Sequence, residues 1–390
     1  MRSGIRIGRI FGIDIQIDWS WLLIFLLISW NWATAMGVLH SEWPVPLRWT
    51  IAVAAALLFF LSVLAHELAH SLVATSRGIP VSHIRLHLFG GVSSIEREPD
   101  SAGGEFVMAI LGPLTSLVIG GILLLITSLA TGRGVAGTRS MQEMLADLSP
   151  TMTILVWLGS INVALGVFNM IPGFPLDGGR VLRSVLWAIT GNLRLATRLA
   201  TAVGRAVAWL MIVAGIATAF GFRIPLIGEG MVNGLWLAFI GWFLHNAAVQ
   251  SYQQMVIREA LEDIPVSRVM RRDPPTVPAD RSVASFVHDF IMRSDDQGFP
   301  VVDQNGLVGI ATLEDVRRTP QEAWETTSVW EVMTPADELV TLAPDDCAIR
   351  ALEILAGRDI RQIPVIRDGQ LEGLVRRRDI VKWLQLQTDI

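Results

Sequence analysis

Cysteine is nearly absent. With Cys347 alone in 390 residues, no disulfide can form within the chain, thiolate ligation of a metal is disfavoured, and the residue reads as a small buried apolar side chain. No block of basic residues interrupts a net charge of −5, so the chain lacks the electrostatic footprint of a nucleic-acid binder. No G-x-S-x-G occurs, which disfavours a serine nucleophile on a strand-to-helix elbow. Histidine is scarce too, at seven residues.

What is abundant is apolar. Hydrophobic residues make up 52% of the chain, mean hydropathy is +0.48, and the apolar content is concentrated in the first two thirds. Six apolar segments, at about 19–40, 48–76, 104–131, 150–170, 194–220 and 230–250, each approach the ~20 residues that cross a bilayer as a helix. The sequence therefore predicts a polytopic α-helical membrane protein followed by a soluble tail. Ala33-Thr34-Ala35 has the spacing of a signal-peptide cleavage site, but the long apolar run before it follows a polar, alternating leader and reads as a retained first span. In that leader Ile5, Ile7, Ile13, Ile15 and Ile17 alternate with polar or small residues. Two short strands turning at Phe11-Gly12 are expected, as an amphipathic hairpin at the membrane interface. Arginines near the span ends number ten on one side (Arg2, Arg6, Arg9, Arg77, Arg85, Arg97, Arg180, Arg183, Arg194, Arg198) and four on the other (Arg48, Arg133, Arg139, Arg223). That bias places both termini in the cytoplasm.

Three ionisable residues sit inside the second span, in Leu61–Ser71. Each costs about 2.5–3.5 kcal/mol at mid-membrane on insertion scales, so three together call for ligation or pairing. His66, Glu67 and His70 form H-E-x-x-H, and on a helix the two histidines share one face. Such a pair suits zinc, which acidifies a bound water, and Glu67 is placed to take that water's proton. Further on, His83, Arg85 and His87 alternate with Ile84, Leu86 and Leu88, a strand ended by Gly90-Gly91. His83 and His87, about 13 Å apart on it, are not expected to be ligands. Gly112, Ser116 and Gly120 make a small-residue face expected to serve close helix packing.

Two histidines leave the metal short of a protein ligand. Pro172, Gly173 and Pro175 break any helix between Asn169 and Asp177, and the break would let Asp177 turn back toward the histidines. The competing reading makes Asp177 the N-cap of an amphipathic helix running from Gly178 to about Ile189. The pairing of H-E-x-x-H in one span with N-x-x-P-x-x-x-L-D-G in a later one resembles the site-2 protease family of intramembrane zinc metalloproteases. The likeness extends through the leader hairpin, Phe89-Gly90-Gly91 and Gly112-Pro113, over about residues 1–250. The resemblance implies that His66, His70 and Asp177 bind Zn2+, that Glu67 is the general base, and that Asn169 donates a hydrogen bond to substrate or oxyanion. Ser116 stands where G-P-x-x-N is common in the family, which leaves its role open. Cleavage would need the substrate helix unwound, and the strand at about 82–89 is the expected edge to which it would add.

From about residue 256 the composition turns charged and repeats itself. Pro300, Gly309 and Asp315 recur 64 residues on as Pro364, Gly373 and Asp379, with Val269-Met270 and Val332-Met333 opening the copies. The pattern resembles a tandem pair of CBS domains, small α/β modules that often bind ATP or another adenine nucleotide and bring protomers together. By that resemblance Thr312 would contact phosphate and Asp315 the ribose. The second copy has Arg376 at the hydroxyl position, suited to a phosphate, followed by Asp379. The expected organisation is an intramembrane metalloprotease domain over 1–255, with CBS domains over 256–326 and 327–390. The expected function is zinc-dependent cleavage of a single-span membrane protein in the cell inner membrane. The rival is a CBS-regulated ion transporter or channel, with Glu67 and the histidines along its path.

Overall fold

The computed structural model describes residues 4–88, 90–131, 148–224, 230–304, 306–357 and 360–387. Phe89 of the strand-end motif and Arg2, Arg133 and Arg139 of the arginine bias lie outside them. The chain divides into two compact units, Met1–Tyr252 and Gln253–Ile390.

In the first unit β1 (Ile5–Ile10) and β2 (Ile13–Ile17) form the leader hairpin. Its turn residues Phe11 and Gly12 both have positive φ, 49° and 85°, as a tight connection between twisted strands requires. Six helices long and apolar enough to cross a membrane follow among the described residues: α1 (Trp19–Leu39), α2 (Val45–Ser76), α3 (Ala102–Thr131), α4 (Pro150–Asn169), α6 (Leu193–Ala219) and α7 (Met231–Glu262). The amphipathic α5 (Asp177–Thr190) comes after α4. Leucines such as Leu23, Leu26, Leu57 and Leu125 are exposed along these helices, as lipid contact demands. Glycines bring the interior helices together: a Cβ on Gly120 of α3 would fall 2.7 Å from the Gly159 carbonyl oxygen of α4.

One expectation for the first unit fails. The strand predicted at 82–89 is β3 (Val81–His87), and it lies inside a four-stranded sheet of order β1-β2-β3-β4, parallel to β2 and antiparallel to β4 (Gly90–Ile95). Gly90, with φ 118°, turns the chain straight back into β4, so a hairpin replaces the single strand. Edge positions therefore belong to β1 and β4. His83 has Ser82 Oγ 3.0 Å from its Nδ1 and Arg85 Nη2 3.3 Å from its Nε2.

The second unit contains both repeats. The first copy's sheet has order β6-β7-β8-β9 and the second's β10-β11-β5. Here β5 (Arg271–Arg272) and β6 (Val277–Pro278) precede β7 (Gly298–Asp303) and β8 (Gly306–Thr312), and β9 (Thr334–Pro335) precedes β10 (Gln362–Arg367) and β11 (Gln370–Arg376). The opening strand of each copy pairs with the other copy's sheet, β5 on β11 and β9 on β8, so neither copy completes its sheet alone. Each copy has its own core, one around Phe286, Phe299 and Val301, the other around Ile363, Val365 and Ile380. Cys347 is exposed, not buried as expected; it sits at the turn into the helix Ala348–Gly357, whose inward positions go to Ala348, Ala351 and Leu355.

Candidate metal centre

Helix periodicity puts His66 and His70 on one face of α2, one turn apart, each 5% exposed. Their Nε2 atoms lie 3.3 Å apart. Asp177, 111 residues beyond His66, places Oδ2 3.1 Å from His66 Nε2 and 3.2 Å from His70 Nε2. The proline-rich break makes this return. A Cβ on Gly204 of α6 would come within 2.6 Å of the Phe174 carbonyl, so the break is pressed against α6 while Asp177 opens α5. Asp177 does not act as the N-cap; that position is Leu176, and the carboxylate faces the histidines.

Each ring is held from behind. His70 Nδ1 lies 2.7 Å from the Met108 carbonyl, which can only accept, so this nitrogen carries the proton and a neutral ring presents its Nε2 lone pair to the centre. His66 Nδ1 lies 2.9 Å from Ser116 Oγ. Ser116 thus has a polar role beyond the packing expected of it, while Gly120 does pack against α4. The lone pair of His70 Nε2 and the Asp177 carboxylate oxygen 3.2 Å away repel one another unless a cation lies between. With zinc bonds of about 2.0–2.1 Å, tetrahedral edges are roughly 3.3–3.4 Å, close to the separations found. Gly112 of α3 leaves the room: a Cβ there would stand 2.8 Å from His66 Nε2 and 2.5 Å from His70 Cε1. His66, His70 and Asp177 are the one group of three such residues able to hold a metal among the described residues.

Glu67 points to the other side of the turn, under β4. Ser93 Oγ of β4 donates to Glu67 Oε2 at 2.9 Å, and Ser71 Oγ lies 2.9 Å from the Glu67 carbonyl oxygen and 3.0 Å from Ser93 Oγ. Gly91 lets the strand pass this close, since a Cβ would lie 3.3 Å from Glu67 Oε1. Asn169 ends α4 with its side-chain nitrogen donating to the Leu165 carbonyl, 3.0 Å away.

The helices carrying these contacts are locked by a buried ion pair that no motif signalled. Glu105 of α3 is fully buried and accepts from Arg183 Nε of α5 at 2.6 Å, with Arg180 3.8 Å from the same oxygen. Arg183 also stacks on the Phe174 ring, 5.3 Å from its centroid. Only a carboxylate in an otherwise apolar helix start hinted at a partner. Arg183 is spent in this pair and is not a loop charge, although it entered the arginine bias as one.

In the second unit Thr312 and Asp315 cap the helix Leu313–Arg318 reciprocally, Thr312 Oγ1 donating to Asp315 Oδ2 at 2.6 Å. Arg376 is already engaged by carboxylates: both oxygens of Asp379, at 2.7 and 2.8 Å, and Asp296 at 2.5 Å.

Comparison with known proteins agrees with these features. The family model "Peptidase family M50" matches residues 54–214, and "CBS domain" matches 266–322 and 329–386. A Synechocystis protein named as a zinc metalloprotease is 32% identical over 99% of this chain and 96% of its own length. Rip3 of Mycobacterium tuberculosis, also named as a zinc metalloprotease, is 31% identical over 99% and 94%. The solved site-2 protease from Methanocaldococcus jannaschii is 26% identical, covering 64% of this chain and 95% of that one, with a TM-score of 0.41. Likeness to the Synechocystis protein along nearly the whole of both chains sets the transporter reading aside. It assigns this chain to peptidase family M50, the site-2 protease-type zinc metalloproteases, in a form that carries a C-terminal pair of CBS domains.

Proposed function

We propose that the chain is an intramembrane endopeptidase that cuts a transmembrane segment of a single-span membrane protein, with both of its own termini in the cytoplasm. The observation that carries this reading is the convergence of His66 Nε2, His70 Nε2 and Asp177 Oδ2 within 3.3 Å, one residue from Glu67. Zn2+ held there supplies Lewis acidity and lowers the pKa of water. Glu67 accepts the proton of the attacking water and returns it to the departing amide nitrogen, while Ser93 holds the carboxylate in place. Asn169 donates to the substrate carbonyl on leaving its Leu165 contact. The unwound substrate adds as a strand to β4, the sheet edge that lies over Glu67, in place of β3.

The division of labour is a protease domain over 1–255 and CBS domains over 256–326 and 327–390. An adenine nucleotide at the CBS pair, with Thr312, Asp315, Arg376 and Asp379 among its contacts, adjusts proteolysis, and the pair joins protomers into a homo-oligomer. The test of the central reading is co-expression with candidate single-span proteins. Wild type is expected to cleave one of them in its span, and Glu67→Gln to leave it intact while retaining zinc. Cleavage persisting in the Glu67→Gln variant would contradict the proposal.

A further inference from the structure

The two CBS copies differ where their repeat puts them in register. The first copy's sheet, completed by β9 of the second, offers Thr312 at the end of β8 and Thr334 at the start of β9; the second copy's sheet, completed by β5 of the first, offers Arg376 at the end of β11 and Arg271 on β5. Both hydroxyls have become guanidinium groups. Between them lies Asp296, its side chain only 7% exposed, which accepts from Arg271 at 2.6 Å, from Arg376 at 2.5 Å and from Arg378. Burial works against the charge of Asp296, but the Arg271 hydrogen bond and the three positive charges hold its carboxyl below the usual carboxylate range.

Beside this cluster opens a cleft of about 370 Å³, at the small end of ligand-site sizes. Arg268, Arg271, Arg376 and Lys382 line it against the single carboxylate of Asp379. Trp383 also lines it, with its indole N–H buried and lacking a hydrogen-bond partner. The cleft is thus a concave, cationic site. One monovalent carboxylate shared among three guanidinium groups, of which Arg376 is also held by Asp379, is a weaker counter-charge than a chain of phosphates, which offers several bidentate acceptors at once.

We propose that this second-copy cleft binds a polyphosphate chain, as carried by a nucleoside triphosphate, and that the chain displaces Asp296 from Arg271, Arg376 and Arg378. The inference rests on the nucleotide reading of the CBS pair. It adds which copy takes the phosphates and what holds that site in reserve. Asp296 is an internal occupant that sets the affinity threshold, and the first copy's sheet, completed by β9, has hydroxyls and no guanidinium at the matching positions Thr312 and Thr334.

The test is equilibrium binding of ATP, AMP, adenosine and sodium tripolyphosphate to the full-length protein in detergent. ATP should bind about tenfold tighter than AMP, tripolyphosphate should compete with it, and ATP affinity should fall as salt rises. Asp296→Asn should tighten ATP binding about tenfold and Arg376→Gln weaken it about tenfold. Should Asp296→Asn fail to fold, the salt dependence and Arg271→Gln carry the test. Tripolyphosphate binding without ATP binding would support the site and assign it to inorganic polyphosphate. Adenosine binding as tightly as ATP, unaffected by Arg376→Gln, would overturn the inference while leaving the nucleotide reading intact. Absence of binding by all four probes, to wild type and Asp296→Asn alike, would overturn both.

Discussion

Removing the Ser116 hydroxyl should weaken zinc binding without touching a ligand. Ser116 is fully buried and its Oγ lies 2.9 Å from Nδ1 of a ring that is itself 5% exposed, so no water stands ready to replace it in Ser116→Ala. The ring then loses the contact that orients it, and with Nε2 on zinc its Nδ1–H is left unpaired at a cost of about 1–3 kcal/mol. Loss of such outer contacts at metal sites typically lowers affinity about 10- to 100-fold, or roughly 1.4–2.7 kcal/mol, a range that agrees with the desolvation figure. Met108→Leu provides the contrast, because His70 is held by the backbone carbonyl at that position and a side-chain exchange leaves the hydrogen bond in place. Competition with a chelator of known zinc affinity, on detergent-solubilised protein, reads both variants, and the thermal midpoint of the metal-free forms checks that each has folded. A Ser116→Ala affinity indistinguishable from wild type, in a folded protein, would refute the assignment of Ser116 as the orienting partner of His66.

Gly112→Ala should abolish zinc binding outright, since its Cβ would intrude within 2.8 Å of His66 Nε2 and 2.5 Å of His70 Cε1; metal analysis of the purified variant checks this. Breaking the buried pair with Glu105→Gln should destabilise the membrane unit by about 3–5 kcal/mol and loosen zinc, whereas the double replacement Glu105→Leu/Arg183→Leu should recover much of the stability, as read by thermal melting in detergent. The folded-state pKa of Asp296 lies below its unfolded value, so its contribution is fully present above the usual carboxylate range and is lost as pH falls through that range. Melting of the C-terminal unit between neutral and acid pH should therefore show a loss of stability that Asp296→Asn does not share.

Much of the metal centre was legible because its chemistry is local or motif-borne. H-E-x-x-H fixes His66 and His70 on one helical face by spacing alone. Asp177 was not legible in that way: spacing allowed an N-cap as readily, and the family pattern supplied the preference; the structure sets its carboxylate 3.1 and 3.2 Å from the two rings. The helix count and the leader hairpin followed from period and turn chemistry. Strand order did not, because a lone alternating segment carries no information about its neighbours; Gly90-Gly91 read as a strand end proved to be a reversal into β4, which moved the sheet edge. Ser116, Ser93 and the Glu105–Arg183 pair went unread for the same reason, as each acts on a residue tens of positions away. Arg376 was read as awaiting a phosphate, and the carboxylates that already hold it lie partly on the other copy.

The central claim is that His66, His70 and Asp177 together hold the zinc that Glu67 works beside. Zinc titration of purified wild type, Glu67→Gln and Asp177→Ala addresses it most directly. One zinc per chain is predicted for wild type and Glu67→Gln, with affinity in Asp177→Ala lower by orders of magnitude. Wild-type zinc affinity in a folded Asp177→Ala protein would contradict it.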